Sequence, residues 1–165
     1  MFARVLLFTF LIALVVGGAV HEAPAQVLLS SNDIPTDTMI SLRRDGLSVT
    51  VNADGRVAVE GQTFDYDILA IRVEIDRAEL TMLVSEALRI QYFSLNDRYY
   101  DLVDGCVSLR STATFIAVTT SITLNGASKT ISRSHQCVEA DGSSYPRDLV
   151  AFEHQLETIV NLHRR

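Results

Sequence analysis

Apolar residues recur at helical spacing between Ile75 and Leu95, with polar residues between them. Asp76 suits the N-cap of this helix, and Glu79 three residues later completes a capping box. The pattern predicts an amphipathic helix that ends near its last aromatic residues. Its apolar stripe comprises Leu80, Leu83, Val84, Ala87, Leu88, Tyr92 and Phe93. A helix this short is marginal alone in water, so we expect a sheet to cover the stripe.

Four runs before this helix alternate between apolar and polar residues, as strands do. They cover residues 39–44, 47–51, 57–59 and 69–75. Asp45-Gly46, the stretch 52–55 and Gly61 separate the first three runs and are typical of turns. We therefore predict an antiparallel meander of four strands that is apolar on one face.

The clearest hairpin signal is Asn125-Gly126, because both residues tolerate the positive φ of a tight turn. It lies inside an alternating segment, residues 114–134. The turn fixes a register in which Leu124 faces Ala127, Ile122 faces Lys129 and Thr120 faces Ile131. The other face carries serine and threonine, a composition more typical of a solvated sheet face than of a binding surface.

A second amphipathic helix is predicted after Pro146, which suits a first helical turn. Charged residues, including Glu153 and Glu157, are placed on its polar side. Its apolar positions are Leu149, Phe152, Leu156, Ile159, Val160 and His163. The predicted order is ββββ-α-ββ-α. This order indicates a single α+β domain over residues 39–165, with about six antiparallel strands and two helices packed on one face.

The N-terminus is typical of a secretory signal peptide over residues 1–25, with an apolar core at 5–20. Small residues at Ala23 and Ala25 predict cleavage between Ala25 and Gln26. The alternative is an uncleaved membrane anchor, although a spanning helix needs about 20 apolar residues. Residues 26–38 are interpreted as a flexible lead-in. No membrane span is expected after cleavage, and we expect a periplasmic or secreted protein.

Composition narrows the range of functions. The chain has 165 residues, 48% of them apolar, which indicates one globular domain. Its net charge of -6 disfavours nucleic-acid binding, which depends on lysine and arginine against phosphate. Cys106 and Cys137 are the two cysteines, and in an exported chain two cysteines usually pair. The alternative is a reactive thiol or a metal ligand.

Several short motifs, in this order, resemble a family of small exported bacterial domains of unknown function, number 6438. They are Phe93-Ser94-Leu95 with Asp97, the segment 120–126, Lys129-Thr130, Cys137 and the last helix. The resemblance spans roughly residues 38–163. It implies an α+β domain without an established activity or known catalytic residues. Many relatives carry a cysteine pair in the first hairpin, which this chain replaces with its segment 44–49.

Two acidic clusters are candidates for chemistry. Asp97, Asp101 and Asp104 share one loop with Tyr99 and Tyr100. Clustered carboxylates attract hard cations, and a carboxylate pair at a defined separation can cleave glycosidic bonds. The spacing matches no EF-hand, so we interpret the loop as solvated. The second cluster, which is interpreted in the same way, comprises Glu60, Asp65 and Asp67.

No other catalytic or cofactor motif is found in the sequence. His135 and Cys137 are two residues apart, and the further ligands of a metal site would have to be His154 and His163 on the last helix. We therefore predict no metal site and no cofactor. The sequence also contains no G-x-S-x-G elbow, P-loop or dinucleotide fingerprint.

These observations favour an exported, non-catalytic domain that binds another protein or an envelope component. One alternative is a small hydrolase of envelope polymers that uses the carboxylates of the 97–104 loop. The other is a secreted inhibitor with an exposed aromatic patch around Tyr99 and Tyr100. The sequence names neither the ligand nor the oligomeric state.

Overall fold

The computed structural model describes residues 34–61, 66–100, 106, 108–109 and 117–163. Eight strands and two α-helices lie in these ranges. The strands are β1 Met39–Arg44, β2 Leu47–Asn52, β3 Val57–Gly61, β4 Arg98–Tyr99, β5 Ser108–Leu109, β6 Ala117–Leu124, β7 Ala127–Ser134 and β8 Cys137–Val138. The helices are α1 Arg77–Arg89 and α2 Arg147–Ile159.

Six of the strands form one sheet in the order β3-β2-β1-β6-β7-β4. The first three strands make the predicted meander, because Asp45 and Gly46 adopt φ angles of 52° and 80° and reverse the chain in a tight turn. β6 then pairs with the free side of β1, so the chain returns to the middle of the sheet. The sheet is mostly antiparallel, as predicted, but β4 runs parallel to β7.

The predicted fourth strand, residues 69–75, is wrong. Ile68–Ala70 forms a 3-10 turn, and the end of the segment lies beside the start of β3, where Arg56 and Glu74 form a bridge and the N–H of Val57 donates to the Val73 carbonyl at 2.9 Å. The backbone N–H of Arg72 donates to the Val160 carbonyl at 2.9 Å, which turns the segment towards α2. The side chains of Leu69 and Val73 are 94% and 80% exposed instead of facing the core.

The β6–β7 hairpin has the predicted register. Leu124 lies opposite Ala127, Ile122 opposite Lys129, and Thr120 opposite Ile131. Asn125 and Gly126 adopt φ angles of 52° and 76°, as the two-residue turn requires. This turn signal therefore predicted the register of the hairpin correctly.

The predicted helix after Ile75 begins as expected and ends early. Asp76 accepts the N–H of Glu79 at 2.8 Å, and the Glu79 carboxylate accepts the N–H of Asp76 at 2.9 Å. This capping box fixes the start of α1. The helix ends at Arg89, because Gln91 adopts a left-handed conformation with φ 52°. A 3-10 turn, Tyr92–Ser94, follows and buries Tyr92.

Both helices cover the same face of the sheet and share one apolar core with it. Leu80 and Leu83 of α1, and Leu149 and Phe152 of α2, are fully buried in that core. The architecture is therefore α+β, as predicted. Glu153 is the exception to the predicted pattern of α2, because it is buried rather than on the polar side.

The predicted disulfide forms between Cys106 and Cys137, whose Cα atoms are 5.3 Å apart. Both cysteines are buried. Cys137 lies in β8 and pairs with Leu109 of β5, so the short β5–β8 ladder and the disulfide hold this part of the chain together.

Candidate functional site

The face of the sheet opposite the helices is a polar surface built by strand alternation. The described helices cover the inward side of the sheet, whose apolar residues alternate with outward serine and threonine. We call this second side the open face. Strand register arranges its side chains in rows that run across the strands.

The central row of the open face consists of small hydroxyl side chains on four adjacent strands. Thr50 of β2 lies opposite Ser41 of β1, and Ser41 lies opposite Ser121 of β6. Ser121 in turn faces Thr130 of β7. Ala58 of β3 extends the row at its edge. The central row therefore crosses five strands without a charged side chain.

Hydroxyl groups on the β6–β7 hairpin are hydrogen-bonded to one another across the strands. Ser121 and Thr130 are joined at 2.9 Å. Two more pairs with the same arrangement are Thr119–Ser132 at 3.1 Å and Thr123–Ser128 at 2.8 Å. Because a hydroxyl group has one hydrogen and two lone pairs, each pair keeps one hydrogen and several lone pairs for a ligand or water.

Two further rows flank the central row. The charged row has Arg43 in its middle, where the side chain is exposed. Glu60 and Arg98 lie at the two ends of this row. The distal row carries Met39, which lies opposite Asn52 and Thr123. Among these three rows, charged side chains therefore lie in the charged row alone.

A buried ion pair lies beneath the open face. Arg133 of β7 donates from Nε to Oε2 of Glu153 at 2.8 Å, and its Nη2 binds the same oxygen. Thr120 of β6 donates from Oγ1 to the other oxygen of Glu153 at 2.8 Å. One carboxylate on α2 thus binds both strands of the hairpin. Because Thr120 lies between Thr119 and Ser121, this contact also fixes the backbone that carries the hydroxyl pairs.

Arg44 and Glu157 extend this buried network to β1. Arg44 Nη1 donates to Glu157 Oε1 at 2.5 Å, and its Nη2 lies 3.8 Å from Glu153 Oε2. The network therefore contains two arginines and two glutamates, so its charges balance. Buried charges persist only when they are paired in this way.

Tyr92, in the 3-10 turn after α1, is hydrogen-bonded to β6 from the helix side of the sheet. Its hydroxyl group donates to the Thr120 carbonyl at 2.6 Å. Burial raises the pKa of Tyr92, and the nearby charge of Glu153 raises it further. The phenol therefore remains a hydrogen-bond donor at all physiological pH values.

Asp37 fastens the segment before β1 to the tip of the hairpin. Its carboxylate oxygens accept the backbone N–H groups of Asn125 at 3.1 Å and Gly126 at 2.5 Å. Ile34 packs against the core, and Thr38 is buried. An open groove beside this contact is lined by Thr36, Asp37, Thr38, Met39, Asn52, Ala53, Asp54 and Arg56. The groove adjoins the distal row through Met39 and Asn52.

The acidic loop is described only at its beginning. Asp97 is exposed and forms an ion pair with Lys129 at 2.9 Å. Asp101 and Asp104 lie outside the described residues, so the interpretation of this loop as solvated stays a prediction, as does the convergence of carboxylates that the hydrolase alternative requires. In the second cluster, Glu60 is exposed at the edge of β3. Its partner Asp65 also lies outside the described residues.

The aromatic patch expected of an inhibitor does not form at Tyr99. This side chain is buried and makes an edge-to-face contact with Tyr145, with ring centroids 5.5 Å apart. Tyr100 is partly exposed. Tyr99 and Tyr145 therefore contribute to packing, and Tyr99 presents no surface to a partner.

The residues considered for a metal site are apart in the structure. Cys137 is consumed by the disulfide, and His135 is exposed in the turn before it. On α2, His154 Nδ1 lies 3.0 Å from Glu157 Oε2, and His163 is exposed beyond the helix. Among the described residues, no three of histidine, cysteine, aspartate and glutamate are grouped as a metal site requires.

The predicted signal peptide and its cleavage site at Ala25 and Gln26 lie outside the described residues. Within the ranges that are described, no helix has the length and apolar content needed to cross a bilayer. The placed part of the predicted lead-in is the segment 34–38.

Sequence reasoning missed the buried ion network, although the signals were present. Arg44 and Arg133 each come two residues after an inward apolar residue, Leu42 and Ile131, so strand alternation points both towards the core. Glu153 follows Leu149 by four residues and therefore belongs to the apolar stripe of α2. Two inward arginines and one inward glutamate together predict an ion network.

Comparison with protein-family models finds none that matches the chain, and comparisons with curated proteins and with solved structures likewise find no match.

Proposed function

We propose that this chain is an exported binding domain and that the open face contacts a component of the cell envelope. The observation that carries the proposal is the asymmetry of the sheet. Both helices pack on its inward side, whereas the open face presents ordered hydroxyl groups on four adjacent strands. A rigid, preorganised polar surface loses little entropy when a ligand binds.

The buried network supports this proposal because it fixes the strands behind the surface. Glu153 binds Arg133 and Thr120, which belong to the two strands of the hairpin. Asp37 binds the turn that joins these strands. The hairpin is thus held at its base and at its tip, and its outward hydroxyl groups keep fixed positions relative to one another.

Export is supported by the signal-like segment 1–25 and by the disulfide, which is typical of oxidising compartments. Intact mass of the native protein tests this part of the proposal. We expect a mature chain that begins at Gln26 and has two fewer hydrogens than the reduced form. A chain that retains residues 1–25 would indicate an anchored protein instead.

Binding can be tested by co-sedimentation with a purified envelope fraction. Ser121→Arg places a long charged side chain in the middle of the central row and should abolish retention. Ser85→Arg makes the same change at an exposed position of α1 and should leave retention unchanged. Equal retention of both variants would show that the open face is not the binding surface. Circular dichroism confirms that both variants are folded.

A further inference from the structure

The outer edge of β3 is covered only at its start. There, residues 73–75 lie antiparallel to the strand, and the N–H of Val57 donates to the Val73 carbonyl at 2.9 Å. At Arg72 the segment leaves the edge, because the N–H of this residue donates to the Val160 carbonyl at the C-terminal end of α2. The chain therefore occupies the first positions of a seventh strand and leaves the following positions open.

The open part of this edge presents backbone groups that point away from the sheet. Along an edge strand, successive residues direct their N–H and C=O groups to alternate sides, so those of Val59 and Gly61 point outward like the N–H of Val57. Within the described part of the chain, neither Val59 nor Gly61 forms a backbone hydrogen bond on this side. Donors and acceptors that repeat at every second residue match the backbone of another extended strand.

Exposed apolar side chains belong to the segment that leaves the edge. Leu69 and Val73 are the most exposed large apolar residues in the described part of the chain, at 94% and 80%. Val73 lies opposite Val57, and residues that lie opposite each other in a sheet share one side of it. An apolar side chain bound opposite Val59 would therefore lie in line with Val73 and reduce its exposure.

Glu60 disfavours a second copy of this chain as the occupant of the edge. In a closed dimer, β3 would pair antiparallel with its own copy about a two-fold axis. Because Val73 fills the position opposite Val57, only residues 59–61 are left for pairing, and the axis would pass at Glu60. The two copies of this exposed glutamate would then lie opposite each other, and like charges in such positions are destabilising. A basic side chain at the same position is favoured instead.

We propose that the outer edge of β3 binds an extended peptide of another protein, antiparallel to residues 59–61, with a basic residue opposite Glu60 and apolar residues on either side of it. The peptide continues the strand that residues 73–75 begin, and its backbone pairs with Val59 and Gly61. This inference does not rest on the proposed function, because it concerns the edge of the sheet and not the open face.

Nuclear magnetic resonance titration of ¹⁵N-labelled protein with the pentapeptide Thr-Val-Lys-Val-Thr, blocked at both ends, tests the inference. At millimolar peptide, the amide signals of Val59 and Gly61 should shift, and the exchange of these two amide hydrogens with solvent should slow. The same peptide with both valines N-methylated lacks the donors that pair with the edge and should shift neither signal.

A charge reversal tests the role of Glu60. The unmodified protein should prefer the lysine peptide to Thr-Val-Glu-Val-Thr, and Glu60→Lys should reverse this preference, by roughly twofold to fivefold in each case. Ser85→Lys, at an exposed position of α1, should keep the preference of the unmodified protein. Ser121→Arg on the open face should also bind the lysine peptide normally, so the peptide titration and the co-sedimentation assay can fail independently.

Three results would overturn the inference: no shift of the Val59 and Gly61 signals at millimolar lysine peptide, equal binding of the N-methylated peptide, or an unchanged charge preference in Glu60→Lys. Concentration-dependent broadening of the same two signals without peptide would show that a second copy fills the edge, which would also overturn it. Circular dichroism confirms that Glu60→Lys is folded.

Discussion

Arg133 of β7 and Glu153 of α2 form an ion pair in which each residue is only 1% exposed. The pair joins the last long strand of the sheet to the last helix of the chain. Each group is the other's partner at this depth, so removal of one leaves the second buried without compensation.

Glu153→Gln should lower the free energy of unfolding by about 3–5 kcal/mol, because it leaves Arg133 and Arg44 without a full countercharge. Urea denaturation monitored by circular dichroism measures this loss. The double variant Arg133→Met with Glu153→Leu should lose less free energy of unfolding than Arg133→Met and Glu153→Leu lose in sum as single variants, since it removes both charges. Additive losses would contradict the coupling of these residues.

The raised pKa of Tyr92 predicts a loss of stability at alkaline pH. Tyrosine in the unfolded chain ionises near its ordinary pKa of 10.0, whereas burial keeps Tyr92 protonated in the folded chain at that pH. Its contribution is therefore complete below the unfolded pKa and falls as pH rises towards the folded pKa. The urea midpoint should decrease between neutral pH and about pH 11.

The control for this alkaline loss is Tyr92→Phe. This variant should lose about 1 kcal/mol at neutral pH, because the hydrogen bond to the Thr120 carbonyl is absent. It should also show a smaller decrease at alkaline pH. Part of the decrease remains, since burial also raises the pKa of Tyr66. An unchanged pH profile in Tyr92→Phe would exclude Tyr92 as its cause.

Alanine substitutions at Gly55 and Gly126 distinguish the cost of backbone strain from the cost of a steric clash. Both have positive φ, 85° and 76°, but a Cβ at Gly55 would lie 2.4 Å from the Ile75 carbonyl oxygen, whereas a Cβ at Gly126 meets nothing within 4 Å. Gly126→Ala should cost about 1 kcal/mol from strain alone. Gly55→Ala should cost about 2–4 kcal/mol, because strain and overpacking add. Thermal denaturation ranks the stabilities of the two variants, and equal losses of stability would contradict the tight contact at Ile75.

The disulfide should contribute to stability and resist modification. Its two cysteines are 31 residues apart, and a loop of this length is worth about 3.5 kcal/mol on the chain-entropy model. Reductant should lower the urea midpoint accordingly, and the double variant Cys106→Ser with Cys137→Ser should match the reduced protein. Alkylation of either thiol in native protein without reductant would show that the disulfide does not form.

Local sequence signals predicted the parts of the fold that local physics determines. Asn125-Gly126 fixed the hairpin register, because a tight turn with two positive φ angles leaves few ways to pair the strands. Asp76 and Glu79 fixed the start of α1 for a similar reason, since their reciprocal hydrogen bonds involve neighbouring residues.

Long-range contacts decided the parts that were predicted wrongly. The run 69–75 alternates like a strand, but it begins in a 3-10 turn and Arg72 donates to the Val160 carbonyl, so only residues 73–75 are hydrogen-bonded beside β3. The two residues of β4 carry no local strand signal, and their pairing with β7 depends on the whole chain being folded. For the candidate site, the sequence predicted the hydroxyl face. It did not predict that Glu153 of α2 accepts hydrogen bonds from Thr120 and Arg133 on the buried side of the hairpin.

The hydrogen bonds between the Asp37 carboxylate and the turn at residues 125–126 have a mechanical consequence. β1 lies between β2 and β6, so a force applied along it from its N-terminal end is resisted by ladders on both sides in shear. Asp37 transfers part of that tension to the 125–126 turn before β1 is loaded. A domain held in this way can remain folded while the segment preceding residue 37 is under tension.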